Sequence, residues 1–140
     1  MTPPTDTHRN KALVRAFWQA MWTADPAGAL APIVTPDVAF RGTLGVEAKG
    51  PEGVAGYVAA VTRAFPDYHA AIEELIAEGD RVVARMRFSG THAGEVLGRR
   101  ATGRKVEYLG LALARVTGGR IGEMWVVGDT IGLAAQIEAS

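Results

Sequence analysis

The chain contains no cysteine. Disulfides, thiol nucleophiles and thiolate metal sites are thereby excluded. Neither charge is in excess, since 15 Lys and Arg balance 15 Asp and Glu. A nucleic-acid-binding domain ordinarily carries a basic surplus, so nucleic acid is not an expected partner. The one basic cluster, Arg99, Arg100, Arg104 and Lys105, reads as a solvated loop. No apolar run is long enough to span a bilayer, and the opening MTPPTDTHRNK lacks the apolar core of a signal peptide. A cytoplasmic protein with no membrane partner is expected. The three histidines lack paired carboxylates at ligand spacing, so neither a metal nor another cofactor is expected. No GxSxG, P-loop or dinucleotide fingerprint is present.

What is present suits one domain over residues 1–140: 48% hydrophobic and 21% charged residues are ordinary globular proportions. Pro3, Pro4 and Thr5 suggest a frayed tail over residues 1–9. From Asn10 the pattern is helical, with Leu13, Phe17, Ala20 and Met21 on one stripe. A short second helix is expected in AGALAPIV, then a short strand in TPDVAFRGT. KGPEGVAGYVAAVTRAFPD predicts a third helix, with Pro51 in its first turn and Val54, Tyr57, Val58, Val61 and Phe65 as its stripe.

After residue 67 the period changes to two. A hairpin is expected to turn at Gly79-Asp80, with Val82, Ala84, Met86 and Phe88 inward and Arg81, Arg85 and Arg87 outward. Gly90 and His92 would continue the inward face. KVEYLGLALARV and IGEMWVV predict two more strands, and DTIGLAAQIE a short helix. Helices followed by strands indicate α+β architecture. The expected order is three N-terminal helices, a curved antiparallel sheet and a short C-terminal helix.

The turn of the last hairpin decides what Asp129 can do. A two-residue Gly118-Gly119 turn would set Tyr108 opposite Asp129, making an acid/base pair. A three-residue Thr117-Gly118-Gly119 loop instead collects Gly110, Ala112 and Ala114 on one face with Met124 and Val126. The second is the better reading, because it sorts small residues from large. It makes the small-residue face the wall of a pocket. It also exposes Leu109, Leu111, Leu113, Trp125 and Val127, an apolar patch suited to a homodimer. Asp129 is then better read as the N-cap of the last helix than as an acid/base.

Four stretches carry a resemblance: AFPDYHAAIEELIAEGDRVVARM, FSGTHAGEVLG, TGRKVEYLG and GGRIGEMWVVGDTIGLAAQI. Together they resemble the SnoaL-like polyketide cyclase (ester cyclase) family of the nuclear-transport-factor-two-like superfamily. The resemblance implies a cone fold with an apolar cavity and a metal-free aldol ring closure performed by an aspartate. The position matching that aspartate is Val126, and the positions of its polar partners match Gly110 and Ala112. His92 matches a family histidine.

Three residues remain as candidate catalytic groups. His92 carries an imidazole, the side chain used most often as a general base, or is a hydrogen-bonded strand-end histidine. Tyr108 is a carbonyl-polarising phenol or a core tyrosine. Asp129 completes the set. His69 and Asp67 lie where the third helix meets the sheet, and Asp67 reads as a turn former. The apolar faces and the family cavity together suggest a lining of Phe17, Met21, Phe40, Phe65, Met86, Phe88, Met124 and Val126, suited to an apolar small molecule. The expected function is cofactor-free acid/base chemistry, cyclisation or isomerisation, on an apolar carbonyl compound. The alternatives are a non-catalytic binding protein or a hydroxylase-type accessory member of the fold.

Overall fold

The computed structural model describes residues 6–43 and 45–138. Its elements are α1 (Thr7–Ala20), α2 (Pro26–Leu30), β1 (Val34–Arg41), β2 (Glu47–Lys49), α3 (Gly50–Ala64), β3 (His69–Glu78), β4 (Arg81–Thr91), β5 (Lys105–Thr117), β6 (Arg120–Gly128) and α4 (Thr130–Glu138). The six strands form one curved, unclosed sheet in the order β2-β1-β6-β5-β4-β3. The α+β expectation holds. Among the described residues, no helix is long and apolar enough to cross a membrane.

Residues 1–5 of the expected tail lie outside the described residues, while Thr7 to Arg9 are already helical. The cause is a cap: Asp6 accepts a 2.9 Å hydrogen bond from the Arg9 N–H, ahead of the first apolar repeat. Asp25 caps α2 in the same way, accepting from Gly28 N–H at 3.1 Å. In α3, Pro51 occupies the first turn as expected.

Two features of the sheet differ from a simple antiparallel cone. The glycine-bearing segment after β1 contains a three-residue strand, β2. In addition, β1 runs parallel to β6, while every other strand pairing is antiparallel. Two helices precede β1, so it reaches β6 through a long-range contact, with Ile121 N–H donating to Ile33 O at 2.9 Å.

The β3–β4 hairpin turns at Gly79-Asp80, with Glu78 opposite Arg81. Val82, Ala84, Met86 and Phe88 are buried, and His92 continues their face at 0% exposure. The last hairpin turns differently from the expectation. Thr117 pairs with Arg120, and both Gly118 and Gly119 have positive φ, so the turn has two residues rather than three. One extra residue, Gly122, then bulges between the Val116–Ile121 and Arg115–Glu123 pairs. The bulge restores the expected faces: Ala114 meets Met124, Ala112 meets Val126 and Gly110 meets Gly128. Leu109, Leu111, Trp125 and Val127 are about half exposed on the other face, with Leu113 partly covered.

The face of small residues does not leave open space. Phe88 lies across Gly110, and Thr43 lies across Gly128. A Cβ at Gly110 would stand 2.8 Å from Phe88 Cε2 and 2.9 Å from Val127 O. Substituting Gly110→Val should therefore lower stability by about 2–3 kcal/mol. Gly56→Ala, whose Cβ would meet nothing within 4 Å, should raise it by roughly 0.5–1 kcal/mol through helix propensity. Urea midpoints of the two variants against the parent protein test both signs.

Candidate functional site

A cleft of about 610 Å³ lies between α3, residues 43 and 46–48, the loop at 95–98, and Leu133 of α4. It opens because α3 presents Gly53, Gly56, Ala60 and Ala64 at helical spacing toward it. The apolar stripe of α3 divides there. Val54 and Val58 are buried in the core, whereas Tyr57 and Val61 border the cleft. Exposed Val46 and Leu97 stand at its rim.

The polar groups inside are phenols. Tyr57, Tyr68 and Tyr108 all border the cleft, and they are the chain's only tyrosines. The hydroxyls of Tyr68 and Tyr108 are 2.8 Å apart. One phenol donates to the other, which leaves one O–H of the pair for a further acceptor. Burial, then repulsion from Tyr108, pushes Tyr68 far above the usual phenol range. Burial likewise raises Tyr57 and Tyr108, with the hydrogen bond between Tyr68 and Tyr108 partly opposing the rise in Tyr108. All three are therefore neutral hydrogen-bond donors at physiological pH. Two carboxylates, Glu47 and Glu95, line the cleft, and both are exposed. Among the described residues no three His, Asp or Glu side chains converge.

The rings hold one another in place. Phe88 packs 5.1 Å from Tyr108 and 5.9 Å from Tyr68, centroid to centroid. Phe40 packs 4.8 Å from Tyr57, whose ring fills the space a side chain at Gly42 would need.

Of the residues expected in the lining, Phe65 borders the cleft, and so does Tyr108, expected as a catalytic group. Phe17, Met21, Phe40, Met86, Phe88, Met124 and Val126 are instead packed in the core. They lie under the sheet–helix interface, where Gly110 and its neighbours let rings close the gap. The sequence reading missed Tyr68, and it took Tyr57 only for part of a helix stripe. The spacing of small residues on α3 was the available signal for the cleft.

His92 is fully buried but does not border the cleft. Its Nδ1 lies 2.9 Å from Thr102 Oγ1 and accepts from Thr102 N–H at 3.3 Å. That assigns the ring proton to Nε2, which is buried without a partner. Phe65 packs against the imidazole at 6.0 Å. Asp129 is exposed at the start of α4, where its Oδ1 accepts from Gly132 N–H at 2.8 Å. That is the geometry of a helix cap. Asp67 accepts from Thr91 N–H at 2.6 Å and from Thr91 Oγ1 at 2.7 Å, bonds that hold its carboxyl below the usual range and fix the end of β4. His69 is exposed beside it.

Comparison with known proteins gives a consistent frame. The family model for SnoaL-like polyketide cyclase matches residues 12–137. A protein of Jannaschia sp. CCS1 classed as a SnoaL-like polyketide cyclase aligns with TM-score 0.85 and 21% identity, covering 100% of this chain and 99% of its own. IdmH of Streptomyces antibioticus, classed as a polyketide cyclase, aligns with TM-score 0.77 and 28% identity over 92% of this chain and 98% of its own. AclR of Streptomyces galilaeus, classed as a hydroxylase, aligns with TM-score 0.76 and 24% identity over 94% and 82%. The first and last of these likenesses concern the fold alone. No curated protein matches the chain in sequence at a comparable level.

The three phenols give the molecule a readable alkaline limit. Unfolded tyrosines ionise near pH 10, roughly, and the folded values lie higher. Their contribution to stability is complete below about pH 10 and is lost as pH rises from there toward the folded values. Tyrosinate absorbance at 295 nm should therefore appear only together with loss of the far-ultraviolet dichroism. Ionisation near pH 10, as roughly expected of free phenols, with the dichroism intact would contradict the assignment.

Proposed function

The chain belongs to the SnoaL-like polyketide cyclase family, and from that premise we propose that it binds an apolar aryl carbonyl compound in the tyrosine-lined cleft and promotes its enolisation, the step common to cyclisation and isomerisation. The observation that carries this reading is the Tyr68–Tyr108 pair, 2.8 Å apart in an otherwise apolar setting. The unspent O–H of that pair donates to the carbonyl oxygen. As the α C–H bond breaks, its electron pair moves onto that oxygen, where a preorganised donor in apolar surroundings is worth most. The α proton passes to a carboxylate at the rim, Glu47 or Glu95. His92 stands behind Phe65 with its Nδ1 lone pair engaged by Thr102, so it supports the wall rather than meeting the ligand.

A second reading, a binding protein without turnover, draws support from buried Val126, the position that the family resemblance matches to its aspartate. An accessory hydroxylase role rests on the fold likeness to AclR. It would give product only with a reductant and oxygen. Solvent deuterium exchange at the α carbon of ethyl 2-naphthoylacetate, followed by proton NMR, separates the first two readings. Acceleration by the parent protein, with a loss of about 10²–10³-fold in Tyr108→Phe, is the expected result. Binding without acceleration selects the second reading.

The proposal extends to assembly. Leu109, Leu111, Trp125 and Val127 form a half-exposed apolar face on the sheet side away from the helices, which a second copy of the chain would cover. Light scattering after size exclusion should give a dimer mass for the parent protein and a monomer mass for Leu111→Lys.

A further inference from the structure

Among the described residues, Leu97 is the one non-glycine residue with positive φ, at 51°. It occupies the first central position of a tight turn. Val96 and Arg99 bracket that turn, each donating its N–H to the other's carbonyl at 3.1 and 2.9 Å. Gly98 follows with φ 73°. Both central positions of such a turn need positive φ, which glycine and asparagine supply cheaply and a γ-branched leucine does not. The leucine is also exposed, at 38%, although it borders the apolar cleft. It thus combines an unfavourable backbone conformation with an unfavourable surface position.

The segment around it is clamped, which keeps the strain from relaxing. On the N-terminal side, Ala93 and Gly94 both donate their N–H groups to Ala64 O, the end of α3. Gly94 lies so close to Arg63 O that a Cβ there would approach it to 2.4 Å. On the C-terminal side, Arg99 pairs with Glu138 of α4. The turn is therefore fixed between the two helices that wall the cleft, and Leu97, like Val46, borders that cleft.

We propose that Leu97 is a ligand-contacting, specificity-determining residue: its side chain closes over an apolar ligand in the cleft, and the burial gained on binding offsets the cost of holding it at positive φ. This rests on the cleft being the ligand site. Its chemistry selects a ligand with a flat apolar edge at the mouth and its polar group toward the phenols.

The test uses 2-naphthol, read by its own fluorescence, together with melting of the unliganded protein. Leu97→Gly removes both contact and strain, and Leu97→Ala removes the contact alone. Both should bind 2-naphthol about fivefold more weakly or worse. The glycine variant should melt about 3 °C above the alanine variant, reversing the order expected of an unstrained site. Tyr108→Phe should also weaken binding. If Tyr108→Phe weakens binding while Leu97→Gly binds as the parent does, the cleft stands and the role of Leu97 falls. If the alanine variant melts as high as the glycine variant, the strain account falls. If the parent protein does not bind 2-naphthol, or neither substitution changes binding, the cleft reading fails and this inference with it.

Discussion

One extra residue in β6 decides which side of the sheet each following side chain takes. The two-residue turn at Gly118-Gly119 starts a register that, continued, would bring Tyr108 opposite Asp129. Gly122 interrupts it. Beyond that bulge, Met124 and Val126 enter the core, Trp125 and Val127 face outward, and Asp129 is carried to the start of α4. A strand has a period of two, so no compromise exists between the alternatives. With the bulge in place, Asp129 caps α4 instead of standing opposite Tyr108.

The last of the four stretches that carry the resemblance, residues 118–137, then has a physical reading that needs no chemistry. Gly118 and Gly119 supply the turn, and Ile121 is fully buried. Asp129 caps α4, and Gly132 leaves room beside the capping carboxylate, where a Cβ would come within 2.3 Å of Oδ2. Leu133 packs into the core and touches the cleft. Gln136 locks α4 to the sheet: its Oε1 accepts from Glu107 N–H at 2.9 Å, and its Nε2 donates to Glu107 O at 2.7 Å. These residues position the helix that carries Glu138, the partner of Arg99. They build the frame, and of them Leu133 alone reaches the cleft.

Periodicity made much of that frame legible. The helical stripes, the Gly79-Asp80 hairpin and the split of β5 and β6 into a small face and a large face are all local patterns, and all are present. The sequence concealed what depends on long-range contact. The parallel β1–β6 pairing joins segments some eighty residues apart, and Tyr68 gains meaning only from Tyr108, which lies 40 residues on. The cleft was displaced for a related reason. Phe17, Met86 and Met124 look the same in sequence whether they line a space or fill it. What decides is the size of the residue opposite: the space beside the small residues is filled by Phe88 and Thr43 on the sheet but left open at Gly56 on α3.

A site with a strong donor and no deep base favours one kind of substrate. The phenol pair can stabilise charge on a carbonyl oxygen, but its own protons are held too firmly for it to serve as a base. The carboxylates available, Glu47 and Glu95, are exposed at the rim of the cleft. A rim carboxylate of that kind removes a proton efficiently only from carbon already acidified by two carbonyl groups, because proton transfer follows the difference in acidity between partners. β-Dicarbonyl compounds with an apolar aryl end therefore suit the proposed enolisation better than simple ketones. The aryl end would lie beneath Leu97 and Val46, and the dicarbonyl would reach toward Tyr68 and Tyr108.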